Sequence, residues 1–132
     1  EDEGTVNAPI GRHPIDRKKM STHAKQSRHA VTHYKVLERF GNYTYIQCKL
    51  ETGRTHQIRV HMSNRGNPLA GDDLYGGSRE YIGRQALHCA QAIFQHPVTG
   101  ERMCIIAPVP EDFCILLESC GLQVPQNYSN FI

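Results

Sequence analysis

Residues 53–61 read Gly53-Arg54-Thr55-His56-Gln57-Ile58-Arg59-Val60-His61, so two arginines and two histidines fall between a strand-like run and a glycine stop at Gly66. A guanidinium suits a carboxylate or phosphate because its planar fork makes two parallel, charge-assisted hydrogen bonds. If a helix starts near Thr55, then Arg54, Thr55 and His56 sit at its positive end, where unused backbone N–H groups attract an anion. Arg59 lies one turn further on and can lean back toward that end. The chemistry this pattern serves is anion recognition. A surface helix with solvated arginines would carry the same residues.

Other residues admit paired readings. His56 and His61 are five apart and do not share a helical face, so they make a poor metal pair. His88, between Leu87 and Cys89, fits a hydrogen-bonded structural histidine more readily than a base. Asp72 and Asp73 follow Gly71, which suits turn chemistry or a cap as well as a carboxylate pair. Tyr75, before Gly76 and Gly77, can stack on a base or pack on its own domain. Residues 11–35 hold seven cations, Arg12, Arg17, Lys18, Lys19, Lys25, Arg28 and Lys35, against the single acid Asp16. Such a segment is the footprint of a polyanion partner, or an ordinary solvated loop.

The elements that would position these groups can be read from periodicity. Thr5 to Ile10 reads as a short strand before a turn at Gly11-Arg12-His13-Pro14. Residues 11–29 are polar and basic, without a period, and are expected to be a flexible loop. Val31 to Arg39 and Thr44 to Leu50 alternate around Gly41-Asn42, which predicts a hairpin. Thr55 as N-cap, Ile58 and Met62 four apart, and Gly66 as the C′ residue predict a helix over 55–65. Residues 66–84 are rich in glycine and should be irregular. Ala86 to Phe94 and Arg102 to Ala107 read as a second hairpin about His96-Pro97-Val98-Thr99-Gly100. Pro110 opens a last helix whose stripe is Phe113, Leu116, Leu117 and Cys120, ended by Gly121. The tail over 123–132 has no period. The fold class is α+β: a mainly antiparallel or mixed sheet with a few helices.

Composition bounds the class. The 132 residues and 39% hydrophobic content suffice for one modest domain. No apolar run approaches the ~20 residues needed to span a bilayer. The five cysteines, an odd number without a Cys-x-x-Cys pair, point to reduced thiols in a cytoplasmic setting, most of them small core residues. Zinc ligand spacing is lacking. The opening Glu1-Asp2-Glu3 is unlike a basic leader. Without an initial methionine, the chain is expected to be a processed or truncated product.

With Gly66-Asn67-Pro68-Leu69-Ala70-Gly71-Asp72-Asp73-Leu74-Tyr75-Gly76, the Gly53–His61 stretch closely resembles the signature of RluA-type RNA pseudouridine synthases. The likeness extends, in order, through Ala8 to Met20, where it is especially to members acting on large-subunit ribosomal RNA, and through Ala30 to Leu37, Arg84 to Cys89, His96 to Glu101 and Ala107 to Pro110. It implies isomerisation of uridine without metal or cofactor, by an aspartate acting at the ribose of a flipped nucleotide. It implies that Arg59 forms an ion pair with that aspartate and that Leu87 packs near the flipped base. Arg54 is then a candidate phosphate contact, with Thr55, His56, Arg12, Arg17, Lys18 and Lys19 as further RNA-binding residues. The family's His-Arg-Leu-Asp motif is missing from the 132 residues. The resemblance therefore implies the C-terminal half of one catalytic domain, inactive alone, whose partners are RNA and the missing N-terminal half. An exposed sheet edge or apolar face, with self-association, follows from that division.

A non-catalytic RNA-binding module is the main rival. The basic segment and the Arg54/Arg59 helix would suffice for salt-dependent phosphate binding, and an upstream His-Arg-Leu-Asp in the parent gene separates the two. A DNA-reading helix at 55–65 is weaker, because a strand precedes it rather than a first helix.

Overall fold

The structure is a computed structural model describing residues 2–40, 43–80 and 82–119. The chain forms two compact units, residues 1–86 and 87–132.

The first unit begins with β1 (Glu3–Asn7), followed by β2 (Ile10–Arg12), β3 (Met20–Ser21) and β4 (Ser27–Arg28). The long strands β5 (Val31–Phe40) and β6 (Tyr43–Leu50) come next. β1, β5 and β6 form an antiparallel sheet with β5 in the centre. The expected β5–β6 hairpin is present, and Phe40 pairs with Tyr43. The turn residues Gly41 and Asn42 lie outside the described residues. A register shift between Val36 and Glu38 bulges the hairpin at Leu37, which is exposed.

The basic loop expected over 11–29 contains regular structure. β2 is flanked by β3 and β4 in a second antiparallel sheet, and the strand expected to run from Thr5 through Ile10 is split between two sheets. Gly11, in the middle strand, allows the close approach: a Cβ there would collide with the Gln26 carbonyl. Strands of two or three residues are too short for alternation to reveal them. Between β2 and β3, His13 organises the turn by accepting the Ile15 and Asp16 N–H groups at Nδ1.

Helix α1 (Gln57–Asn64) starts later than expected. Thr55 is not its N-cap. His56 holds that position in the left-handed region, with φ 55°. The Arg54 N–H is instead satisfied by the Gln57 side chain, at 3.0 Å. Arg65 is the C-cap and Gly66, with φ +86°, lies just beyond it as expected. The irregular stretch that follows holds one 3-10 turn, Asp73–Tyr75. Ile10, Ala30, Val60 and Tyr75 form the buried core of this region, with Met20 and Leu74 packed against it.

In the second unit, β7 (Gln91–Gln95) and β8 (Arg102–Ile106) form an antiparallel hairpin. β7 starts five residues later than the alternation from Ala86 predicts. His88 precedes it and donates or accepts no strand pairing; its Nε2 lies 3.0 Å from the Ala107 carbonyl, a structural role. Helix α2 (Glu111–Ser119) buries Phe113, Leu116 and Leu117 as predicted. Cys120 and Gly121, with the tail beyond them, lie outside the described residues. Ile105, Ile106 and Ile115 are each more than half exposed.

The cysteines depart from the core placement expected of them. Cys89 and Cys104 are exposed, while Cys48 and Cys114 are half-buried. Burial raises the Cys48 thiol to about 11, so it stays protonated at neutral pH.

Candidate functional site

Helix α1 sends its polar side chains in two directions. Gln57 and His61, one turn apart, enter the interior and are 3% and 0% exposed. The Gln57 amide donates to the Val31 carbonyl and to Thr32 Oγ1, each at 2.9 Å. Its oxygen accepts from Thr52 Oγ1 at 2.7 Å as well as from Arg54 N. Thr32 Oγ1 lies 2.8 Å from His61 Nδ1, and His61 Nε2 lies 2.8 Å from the Ala8 carbonyl. A continuous polar chain thus fastens the helix to β5 and to the segment after β1. Nothing in the local pattern singled out Gln57, and His61 had been noted only as half of a poor metal pair.

The opposite side of α1 carries Arg59 and, at its start, His56. Arg59 makes a bidentate contact with Asp72: Nε donates to Oδ2 and Nη2 to Oδ1, both at 2.9 Å. The Asp72 side chain is 1% exposed and that of Arg59 15%. Asp72 is the residue for which turn or cap chemistry stood beside a carboxylate pair with Asp73. It does stand at the head of the 3-10 turn, but makes no side-chain cap bond there. Its carboxylate meets Arg59 from a turn whose backbone is hydrogen-bonded on both sides of it, Asp72 N–H to the Leu69 carbonyl and the Tyr75 and Gly77 N–H groups to the Asp72 carbonyl. Gly71 has φ +78°, and a Cβ on it would strike the Arg84 carbonyl, so this approach needs glycine. The one available signal was an aspartate fixed between turn glycines, and it does not name a partner thirteen positions away.

Tyr75 is the hub. Its hydroxyl accepts the Met20 N–H at 2.8 Å and lies 2.8 Å from His56 Nδ1. The Arg59 guanidinium carbon sits 5.1 Å and the Lys19 ammonium 5.8 Å from its ring centre, within cation–π range. Ser63 Oγ donates to the Tyr75 carbonyl at 2.7 Å. Burial raises the Tyr75 phenol, so it remains protonated. The Asp72 hydrogen bond raises the Arg59 guanidinium above its already high value. Partial burial lowers the His56 imidazole, and the charges of Arg59 and then Arg12 lower it further, against an opposing contribution from Asp72.

His56 should therefore titrate below the ordinary histidine value of 6.5. The folded state binds this proton less readily than the unfolded state. The stabilising contribution of neutral His56 is present above the unfolded pKa and declines as the pH falls through it toward the lower folded value. Histidine ring signals followed by NMR against pH check this, and a His56 midpoint at or above the ordinary value contradicts it.

The remaining predicted site residues are distributed unevenly. Arg54 is half-buried and its Nε donates to the His29 carbonyl at 2.9 Å; its backbone N–H is also occupied, so it is not turned outward as a bare donor. Thr55 is exposed. Arg12, exposed, gives one Nη1 hydrogen bond to the Arg17 carbonyl at 3.2 Å. Arg17 and Lys18 are exposed, whereas Lys19 is half-buried beside Tyr75. Leu87 is half-buried and belongs to the second unit. Among the described residues, no three His, Cys, Asp or Glu side chains are grouped to hold a metal, and no helix is long and apolar enough to cross a membrane.

The fold and this cluster define an α+β protein that gathers arginine, lysine, histidine and tyrosine around one helix start. A family model described as RNA pseudouridylate synthase matches residues 1–64. An uncharacterized RNA pseudouridine synthase of Synechocystis sp. is 48% identical over 130 residues, covering 95% of this chain and 40% of that protein. The ribosomal large subunit pseudouridine synthase D of Pseudomonas aeruginosa is 50% identical over 129 residues, covering 86% and 40%. The solved structure of human RNA pseudouridylate synthase domain containing 1 matches with TM-score 0.73 and 26% identity, over 98% of this chain and 58% of that one. The chain is thus similar in sequence and fold to RNA pseudouridine synthases, and it spans about two-fifths of the length of the curated relatives it matches.

Proposed function

We propose that this chain is the part of an RNA pseudouridine synthase that supplies the Arg59 wall of the active site. The substrate is RNA, and the names of relatives such as the Pseudomonas aeruginosa protein favour large-subunit ribosomal RNA. The reaction breaks the N1–C1′ bond of uridine, turns the base and rejoins it through C5; N1 gains a proton and C5 loses one. An aspartate outside these 132 residues acts at the ribose, and the chain is inactive alone.

The observation that carries this reading is Arg59 itself. Its side chain is largely covered, and its Nη1 makes no hydrogen bond among the described residues. That edge suits the absent aspartate. Because Asp72 already balances the charge of Arg59, the second carboxylate is oriented chiefly by directional hydrogen bonds rather than by a net positive field. Arg12, Arg17, Lys18, Lys19, Arg54, Thr55 and His56 contact RNA, and Leu87 packs near the flipped base. The remainder of the domain covers the exposed isoleucines of β8 and α2 and continues the sheet at an open edge strand. Without it, those surfaces favour self-association. Free thiols suit a cytoplasmic enzyme.

The test uses ribosomal RNA transcribed with tritium at uridine C5, which is released when C5 bonds to the ribose. The chain alone should release none. Mixing it with the separately made remainder of the Pseudomonas aeruginosa relative should restore release. Turnover by the chain alone overturns the reading; salt-dependent RNA binding by the mixture without turnover supports the binding module instead.

A further inference from the structure

The Arg59–Asp72 contact has a geometry that an ordinary surface ion pair lacks. Two parallel hydrogen bonds fix the plane of the guanidinium, and the Tyr75 ring adjoins it. The anchor is itself immobilised. Asp72 N–H donates to the Leu69 carbonyl at 3.1 Å, and the Asp72 carbonyl accepts from Tyr75 N at 3.2 Å and Gly77 N at 2.7 Å. Ser63, one turn beyond Arg59, ties the same helix to the Tyr75 carbonyl. Helix and turn are thus joined at two successive levels, on either side of the Arg59 side chain.

We propose that Asp72 and Tyr75 are positioning residues that clamp Arg59, so that its remaining Nη1 edge meets a second anion in a fixed orientation. This rests on the preceding reading, in which that anion is the carboxylate acting at the ribose. Asp72 touches neither substrate nor reacting atoms; it acts through Arg59. The clamp makes one arginine a bridge between two carboxylates, one inside the turn and one from the rest of the domain.

The decisive variant is Asp72→Asn, of nearly the same volume. Its amide keeps one acceptor but places an N–H group against a guanidinium N–H, so the bidentate contact is lost. In the enzyme assembled from this chain and the remainder of the Pseudomonas aeruginosa relative, kcat should fall about 100-fold, the scale of a small misplacement of a catalytic group. KM for RNA should stay within about twofold, because the phosphate contacts lie on other residues. In the chain alone, the Arg59 Nε–H signal should exchange slowly with water and lose that protection in Asp72→Asn, while His61 ring signals report an unchanged core.

Unchanged kcat overturns the proposal, as does a rise in KM at constant kcat. If the unsubstituted assembly makes no pseudouridine, the preceding reading fails. The exchange measurement then decides the clamp by itself: an Arg59 Nε–H that exchanges as fast in the unsubstituted chain as in Asp72→Asn overturns it.

Discussion

Arg59→Lys should lower pseudouridine formation by the assembled enzyme about 100-fold at saturating RNA, the scale seen when one preorganised donor is removed from a reacting centre. Charge is conserved by this change and geometry is not. Arginine offers Nε and Nη2 to Asp72 while Nη1 faces the other way. A lysine ammonium is a compact point charge on a flexible stem, and one ammonium cannot hold two carboxylates in two fixed planes. Release of C5 tritium under single-turnover conditions isolates the chemical step from product release. RNA affinity and its dependence on salt should hardly change, since the number of phosphate contacts is the same. A loss of less than about threefold, well below the cited range, would show that Arg59 acts only through its charge.

Gln57→Ala should be the costliest single truncation on α1 for stability. The amide has two donor hydrogens and two acceptor lone pairs, and all four are engaged, with Val31, Thr32, Thr52 and Arg54. The residue is 3% exposed, so water cannot readily replace what is removed. An unsatisfied buried polar group costs about 1–3 kcal/mol, and here several are left at once. Roughly 3 kcal/mol is expected, with a fall in Tm of about 10 °C for a chain of this size. Denaturant unfolding of the 132-residue chain measures it. Gln26→Ala, on an exposed position, should stay within about 0.5 kcal/mol as a control. Equal losses from both variants would mean that the Gln57 network does not hold the helix.

Local regularities were legible in the residues because they repeat at short range. The β5–β6 hairpin followed from alternation on either side of Gly41-Asn42, and the stripe of α2 from the spacing of Phe113, Leu116 and Leu117. Gly66 marked the end of α1 because only glycine takes a left-handed φ without strain. The start of α1 was misplaced because a good capping residue, Thr55, was present, while the group that satisfies the turn is the side chain of Gln57. The two-residue strands β3 and β4 were invisible, since pairing with β2 rather than any period of their own makes them strands.

By itself, then, the sequence determined the α+β class, the elements with a strong period, and the ordered motifs that liken the chain to RNA pseudouridine synthases. The tertiary structure alone decided that Asp72 is the partner of Arg59, that Gln57 and His61 are structural, and that Tyr75 joins His56, Lys19 and Arg59. Hydrophobic period is a property of neighbours along the chain. A hydrogen bond between His61 and Ala8, or between Tyr75 and Met20, joins residues more than fifty positions apart, and no local spacing records where the folded chain will bring them together.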